Sequence, residues 1–286
     1  MGEGRAVPEG GGSLRAVWLG RALVAPERAG LAIDDPGVRF GEGLIETMRA
    51  EGGRVPLLDR HLDRLERSAA VLGLAPMPSR EEVIAGVQAV VAAVGGRARV
   101  RVTATPAPTL LVEAVPLASG DAGDERGSTA VSLRGAWTGD PLAEHKTLSR
   151  AGLRRAERIA RSATADDALL LDADGRLGEA AGANVYCVIG GEVITAPARG
   201  LLAGVARSLV LDLAQVREEP LSERDWRGAD EIFATSAVRG IDAIVRVDGP
   251  PVGAGAPGPV TRRLRAAYRA RVAAETGGGW LSSRLD

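Results

Sequence analysis

Two spacings of apolar residues mark the elements of the first part of the chain. In the stretch 57–74 apolar residues recur every three or four positions, which predicts an amphipathic helix. A second helix is predicted after Ser79, because Glu82 follows three positions later as in a capping box. The stretch 97–104 alternates strictly between apolar and polar side chains, which predicts a half-buried strand with 109–115 as its hairpin partner.

After residue 128 the pattern changes to short apolar runs separated by turns that contain glycine. The runs on either side of Asp174-Gly175 and of Gly190-Gly191 each predict a β-hairpin. A short helix is predicted to begin after Gly204, and two further strands and an arginine-rich helix follow it. Helices and strands are mixed in both parts, so we expect an α/β protein whose second part is richer in hairpins.

Changes in composition place the domain boundaries. Residues 118–128 read ASGDAGDERGS and are predicted to be an interdomain linker. The glycine-rich ends, 1–14 and 277–286, are predicted to be disordered tails. We therefore expect a small N-terminal α/β domain over 15–117 and a larger C-terminal domain over 129–276.

Composition then narrows the class of protein. Hydrophobic residues make up 45% of the chain and charged residues 26%, the profile of a globular protein. The net charge of −1 gives no reason to expect nucleic acid or a membrane surface as a partner. No apolar run approaches the roughly 18–20 residues that span a bilayer.

The single cysteine and the two histidines add little chemistry. Cys187 lies in an apolar run and is expected to be an inert buried thiol, which suits the reducing cytoplasm. His61 and His145 form no metal-binding pattern with it, so no metal site is expected.

Lysine usage is the feature that points to chemistry. Of the 36 lysines and arginines only Lys146 is a lysine. An arginine side chain stays charged, whereas a lysine amine can become neutral and attack a carbonyl to form a Schiff base. Composition alone leaves open whether this lysine has that function or survived by chance.

Five motifs resemble one family in order and spacing. They are FGEGLIETMRAEGGRVPLLDRHLDRLERSA, HKTLSR, GEAAGANVY, TAPARGLLAGVAR and DEIFATSAVRGIDAI. Together they resemble the class IV aminotransferases, the fold-type IV enzymes that use pyridoxal phosphate. The resemblance implies a two-domain α/β fold, pyridoxal phosphate as cofactor, a small amino compound as substrate and a homodimer.

The same resemblance implies roles for individual residues. Lys146 holds the cofactor as a Schiff base and shuttles the proton, and Glu179 pairs with the pyridine nitrogen, with Asn184 as support. Arg64 binds the phosphate. The other phosphate contacts fall on Val205, Ala206, Ser236 and Ala237. At two of these sites the chain lacks a hydroxyl side chain at the position where family members often have one.

The reaction is less sharply defined. The motif around 44–65 is closest to 4-amino-4-deoxychorismate lyase, and Asp166 stands where transaminases commonly have a tyrosine near the cofactor. We therefore favour the lyase, which converts aminodeoxychorismate to 4-aminobenzoate and pyruvate, with Glu46 or Thr47 as a proton donor. The alternative is an amino-acid or amine transaminase of the branched-chain or D-amino-acid type. A catalytically idle binding module is a remote third reading.

One departure from the family concerns the substrate carboxylate. Many members carry an arginine and a long loop where this chain has Ala104 and a short connection over 104–109. Arg239, or an arginine of a second subunit, is expected to take its place. Otherwise the substrate carries its carboxylate elsewhere or lacks one. His145 is expected to point away from the cleft, since it adjoins Lys146 in an extended segment.

Overall fold

The computed structural model describes residues 15–117 and 126–276. The tails expected at 1–14 and 277–286 and most of the linker expected at 118–128 lie outside the described residues. The last linker position, Ser128, is already the first residue of a strand. Within the described residues, each side of the gap builds its own β-sheet.

The part before the gap is a five-stranded antiparallel sheet covered by two helices. In chain order its elements are β1 (Ala16–Leu19), β2 (Ala22–Val24), a 3-10 turn (Pro26–Arg28), α1 (Pro36–Arg39), β3 (Leu44–Ala50), α2 (Leu58–Leu72), α3 (Arg80–Val94), β4 (Ala98–Ala104) and β5 (Leu110–Pro116). The sheet order is β2-β1-β5-β4-β3, which leaves β3 at an edge. The apolar stripes of α2 and α3 pack on the face of the sheet that carries Met48, Val100 and Val112.

The part after the gap is an eight-stranded mixed sheet. Its elements are β6 (Ser128–Leu133), a 3-10 turn (Pro141–Glu144), α4 (Ala151–Ser162), β7 (Asp167–Leu171), β8 (Leu177–Ala180), β9 (Ala183–Ile189), β10 (Glu192–Thr195), α5 (Val205–Leu213), β11 (Val216–Glu218), α6 (Glu223–Arg227), β12 (Glu231–Ser236), β13 (Gly240–Val247) and α7 (Pro259–Thr276). The order is β11-β10-β9-β12-β13-β6-β7-β8, and β8 also pairs with β9. That extra pairing closes six of the strands into a ring.

The hairpins expected in this part are present. Strands β7 and β8 pair antiparallel around Gly175, whose φ is +86°. Strands β9 and β10 pair around Gly190 and Gly191, with φ of +58° and +85°, the consecutive positive values of a type I′ turn. Cys187 is fully buried in β9, and burial raises the pKa of its thiol, so it is inert as expected. No helix in the two described ranges is both long and apolar enough to cross a membrane.

Several contacts join the two parts and fix the cleft between them. Ile45 N donates to Lys146 O (2.8 Å) and Leu148 N to Gly43 O (3.0 Å), so residues 146–148 run beside β3 as an added strand. On the far side of α2, Arg60 donates to Ser208 Oγ at 2.8 Å. The chain segment that carries Lys146 is therefore held by the first sheet, although it belongs to the second part of the sequence.

Candidate active site

The pairing with β3 decides which way Lys146 points. Leu44 lies opposite Thr147 in an antiparallel bridge, which places Lys146 opposite Ile45 and His145 opposite Glu46. Neighbours across a sheet share a face, so His145 lies on the face covered by α2, where its Nδ1 is 3.0 Å from Ser68 Oγ. Lys146 lies on the opposite face, as the extended segment predicted.

The surroundings of Lys146 favour the neutral amine. Burial, and then the nearby cations Arg150, Arg64 and Arg101, lower the pKa of its ammonium to about 7, while Glu46 partly opposes them. An ordinary lysine with a pKa near 10.4 is neutral in only about one molecule in a few thousand at pH 7. With its pKa lowered to about 7, Lys146 is neutral in a far larger fraction of molecules at that pH. The amine is thus prepared to attack a carbonyl.

This shift predicts a specific pH dependence for the cofactor-free protein. Only the neutral amine reacts with an aldehyde, so the rate of covalent capture should rise about tenfold per pH unit in acid and level off above about pH 7. Stopped-flow absorbance after mixing with pyridoxal phosphate measures that rate. A rate that keeps rising to pH 9 or beyond, as for an exposed lysine, would show that the amine is not desolvated.

Glu179 is a buried carboxyl without a bonded cation. It lies on β8, opposite Asn184 of β9, and is 8% exposed. Burial raises its pKa to about 8, although the backbone N–H of Leu202 and the positive charges of Lys146 and Arg150 act in the opposite direction. Glu179 forms no ion pair with any residue of the described ranges. Such a carboxyl fits a protonated ring nitrogen, which would supply the missing cation.

Asn184 shapes the loop next to Glu179. Its Nδ2 donates to Leu202 O at 2.9 Å, and a Cβ on Gly204 would lie only 2.1 Å from its Oδ1, so position 204 has room only for glycine. Gly200 N donates to Glu144 Oε1 at 2.9 Å and ties the same loop to the segment before Lys146. Asn184 therefore positions the loop that carries the Leu202 donor.

Arg64 is oriented by a buried glutamate and keeps donors in reserve. Its Nε and Nη2 donate to the Glu46 carboxylate at 2.8 and 2.6 Å, and its Nη1 donates to Ala203 O at 3.0 Å. A guanidinium has five N–H groups, so two have no acceptor among the described residues. His61 Nδ1 lies 2.7 Å from Glu46 Oε2 and completes the cluster. A phosphate is the kind of acceptor that suits the two remaining donors.

The start of α5 offers further donors beside this arginine. Gly204 is its N-cap and no side chain caps the first turn, although Val205 and Ala206 are buried. The first N–H groups of a helix have no partner within the helix, so they suit an anion. Val205, Ala206 and Ala237 line a small cavity of about 10 Å³ with His61 and Arg49. Ser236 Oγ accepts from Arg239 N at 3.2 Å and shapes the neighbouring turn. The uncapped N–H groups at the start of α5 suit a phosphate oxygen, whereas the cavity beside them has room for only about one water molecule.

Two of the expected substrate contacts have other partners in the structure. Burial alone would raise the pKa of Glu46, but Arg64 and His61 lower it to about 2, so this ionised carboxylate has no proton to donate near neutral pH. Arg239 is paired with Asp167 at 2.9 Å and with Asp242 at 3.2 Å, so two carboxylates already balance its charge. The structure does not support the roles expected for these two residues.

Thr47 lies where a proton donor to the substrate would be needed, whereas Asp166 does not lie in such a place. Thr47 lies opposite Arg101 in the register of β3 and β4, on the face that carries Lys146. Asp166 is exposed, and its Oδ2 accepts from Thr129 N at 2.8 Å and from Thr129 Oγ1 at 3.0 Å. Since Asp166 serves the start of β6, its place in the sequence does not distinguish a lyase from a transaminase.

Sequence reasoning missed two arginines of this cleft, Arg101 and Arg150. Both are partly buried and both lower the pKa of Lys146. Arg101 looked like one of several polar residues of an alternating strand, and Arg150 like one of many arginines around α4. The only feature of the sequence that could have indicated Arg150 was its position, four residues after Lys146. Among the described residues, no group of three or more His, Cys, Asp and Glu side chains could hold a metal ion.

Comparison with known proteins identifies the arrangement. The family model described as amino-transferase class IV matches residues 43–247. The chain is 30% identical over 277 residues to the branched-chain-amino-acid aminotransferase-like protein 2 of Arabidopsis thaliana, a match that covers 88% of this chain and 49% of that protein. It therefore spans about half the length of that relative. The D-alanine aminotransferase of Bacillus licheniformis is 26% identical over 287 residues, which cover 92% of this chain and 99% of that protein.

A solved structure extends the likeness to the fold. The branched-chain aminotransferase of the thermophilic archaeon Thermoproteus uzoniensis, solved with norvaline, has a TM-score of 0.81 at 26% identity. The match covers 93% of this chain and 96% of that one. Because the residues matched by the family model include every part of the site described above, this chain belongs to the class IV aminotransferase family, whose enzymes depend on pyridoxal phosphate.

Proposed function

We propose that this enzyme transfers the amino group of a small amino compound to a keto acid. The observation that carries the proposal is the single lysine, whose amine has a pKa lowered to about 7 and lies within electrostatic reach of the buried Glu179. Two of the relatives named above are aminotransferases and the third is named aminotransferase-like, which favours transamination over the lyase reaction expected from the motif around 44–65. The substrates named for those relatives are not carried over to this chain.

Each residue of the site has a task in such a reaction. Bound pyridoxal phosphate supplies an aldehyde that joins covalently to an amine and a ring that accepts an electron pair. Lys146 would form this link at rest, and after the substrate amine had displaced it, its free amine would take the proton from the substrate α-carbon. Glu179 keeps a proton on the ring nitrogen. Arg64 and the N–H groups of Val205 and Ala206 hold the phosphate dianion.

Aminodeoxychorismate lyase remains a second candidate because of Thr47. The hydroxyl group of Thr47 lies on the face of β3 that carries Lys146. The lyase reaction would need a proton donor to the departing pyruvate on that face. A catalytically idle binding module has less support. A protein that catalyses no reaction requires neither a desolvated lysine amine nor a buried glutamate near it.

The function is tested with purified protein and ordinary reagents. We expect a yellow protein, borohydride fixation of the cofactor to the peptide that contains Lys146, and a spectral change on adding an amino donor that a keto acid reverses. A parallel assay offers aminodeoxychorismate and looks for 4-aminobenzoate. Product only in the parallel assay would replace the transaminase by the lyase, and no cofactor uptake at all would contradict both.

Replacing Arg64 should weaken binding of the phosphate more than binding of the cofactor ring. In Arg64→Gln we expect the dissociation constant of pyridoxal phosphate to rise about 10- to 100-fold, because two charge-assisted hydrogen bonds are lost. Pyridoxal, which lacks the phosphate, serves as the internal control, and its affinity should fall much less, through the lost pairing with Glu46 and the changed pKa of Lys146 only. Equal losses for both compounds would mean that Arg64 acts by holding the fold together. Absorbance titrations measure both constants.

The homodimer and the cytoplasmic location stay predictions. What supports a partner subunit is the apolar surface of the segment before β3, where Ile33 is 84% exposed and Phe40 63% exposed. Exposed side chains of this size next to a cleft are typical of an interface.

A further inference from the structure

Asp35 is a buried acid that joins two segments of the first part of the chain. It is 3% exposed and precedes α1, where its Oδ1 accepts from Gly37 N at 2.7 Å. Its Oδ2 accepts from two hydroxyl groups of the turn between β4 and β5, Thr105 Oγ1 at 2.9 Å and Thr109 Oγ1 at 2.7 Å. No cation in the described ranges pairs with Asp35, so these three donors compensate for the burial of its carboxylate. Asp35, Thr105 and Thr109 together form an aspartate clamp.

The two segments joined by the aspartate clamp enclose the side chain of Leu148. A Cβ on Gly37 would lie 2.6 Å from Thr105 Cγ2 and 3.0 Å from Leu148 Cδ1. A Cβ on Gly43 would lie 2.8 Å from the same Leu148 methyl carbon. Both glycines therefore approach Leu148 more closely than a larger residue could. Leu148 fills the space between α1, the start of β3 and the β4–β5 turn, and Asp35 ties α1 to that turn.

Leu148 in turn anchors the short strand that carries Lys146. The two side chains lie two positions apart, opposite Gly43 and Ile45, and therefore on the same face. In the described part of the chain, two backbone hydrogen bonds hold this strand to the start of β3, from Ile45 N to Lys146 O and from Leu148 N to Gly43 O. A slip of one position would turn Lys146 to the face covered by α2. The packing of Leu148 opposes such a slip.

We propose that Asp35 is a positioning residue for Lys146, on which it acts through Leu148. The inference rests on the part of the proposed function that makes Lys146 the amine that binds the cofactor. While the aspartate clamp is closed, Leu148 stays packed and the amine stays desolvated on the cleft face of the sheet. Without the clamp, α1 separates from the β4–β5 turn, the short strand loosens and water reaches the amine.

The first experiment measures how firmly the short strand is held in the full-length protein without cofactor. In Asp35→Ala we expect the amide hydrogen of Leu148 to exchange at least about tenfold faster than in the native protein. The double variant Thr105→Val with Thr109→Val keeps the side-chain shapes but removes both hydroxyl donors, so it should give a similar increase. Thr105→Ser with Thr109→Ser keeps both donors and should give a much smaller one. Hydrogen exchange of the peptide that contains Leu148, followed by mass spectrometry, measures these rates.

The second experiment measures the reactivity of the amine. In Asp35→Ala the pH at which covalent capture of pyridoxal phosphate reaches half its plateau should rise by about one unit or more, because a solvated amine regains a higher pKa. At pH 7 the capture rate should therefore fall about tenfold. A clamp that only stabilised the fold would lower the melting temperature and leave this half-plateau pH unchanged. Stopped-flow absorbance over a range of pH measures the capture rate.

Glu231→Gln is the matched control. Glu231 is also a buried carboxylate that accepts from backbone N–H groups at the start of a helix, but that helix is α7. Its replacement should lower the melting temperature and leave both the exchange of Leu148 and the half-plateau pH as in the native protein. Native exchange and capture in Asp35→Ala, or equal changes in Glu231→Gln, would overturn the inference.

Two further outcomes are distinguishable. If Asp35→Ala does not fold, the double valine variant is used for both measurements, and native values in that variant would contradict the inference. If the native protein captures no pyridoxal phosphate, the proposed function fails, and the exchange of Leu148 alone decides whether Asp35 holds the strand of Lys146.

Discussion

Lys146→Arg should abolish covalent cofactor binding and reduce amino transfer to background. The guanidinium cannot become neutral, so it cannot form the link that the amine of Lys146 forms at its lowered pKa of about 7. The loss of proton transfer alone accounts for about 10²- to 10⁴-fold in rate. The variant protein should lose the absorbance of the linked cofactor, and borohydride should fix nothing to the peptide.

The control for this substitution separates chemistry from folding. An arginine at position 146 keeps its charge beside Arg150, Arg64 and Arg101, so some loss of stability is expected as well. Circular dichroism and thermal unfolding establish whether the variant is folded. In Lys146→Ala, added small primary amines should restore part of the proton transfer. A folded Lys146→Arg protein that still exchanges amino groups would contradict the role assigned to the lysine.

Glu179→Gln should leave the cofactor bound but slow the reaction by about 10²- to 10³-fold, the usual cost of removing one well-placed electrostatic partner. A glutamine amide cannot carry the negative charge that holds a proton on the ring nitrogen, so the ring accepts electrons less readily. The linked cofactor should still form and should still be fixed by borohydride, because Lys146 is intact. Single-turnover absorbance with an amino donor measures the step.

A second buried glutamate provides the comparison. Glu231 accepts from the backbone N–H groups of Val260 (2.9 Å) and Thr261 (2.7 Å) and so caps α7, away from the cofactor residues. Glu231→Gln should reduce stability, since it weakens a helix cap, without changing the rate of the step. Equal rate losses in the two variants would mean that burial of a carboxylate, and not its place beside the ring, explains the effect. Glu179→Asp, which keeps the charge, should recover part of the rate.

The arginines show what the sequence could not predict, which is the acidic partner of each side chain. The apolar spacing over 57–74 predicted α2, and His61, Arg64 and Ser68 are all buried in that helix. Nothing in that pattern indicated that Glu46 of β3 would orient Arg64, because the two lie 18 positions apart and meet only when α2 packs on the sheet. The same holds for Arg239, whose acidic partner Asp167 lies 72 positions away.

The sequence by itself determined the local elements and the chemical identity of the site. Periodicity predicted α2 and β4, a capping box predicted α3, an Asp-Gly and a Gly-Gly turn predicted the hairpins, and a single lysine among arginines marked the candidate reactive amine. Only the tertiary structure decided which charges surround that amine. Ion pairing and desolvation depend on distances between segments remote in the chain, and local spacing carries no information about them. For that reason Glu46 changed from an expected proton donor to the partner of Arg64, and Arg101 and Arg150 proved to be two of the cations that, after burial, lower the pKa of Lys146.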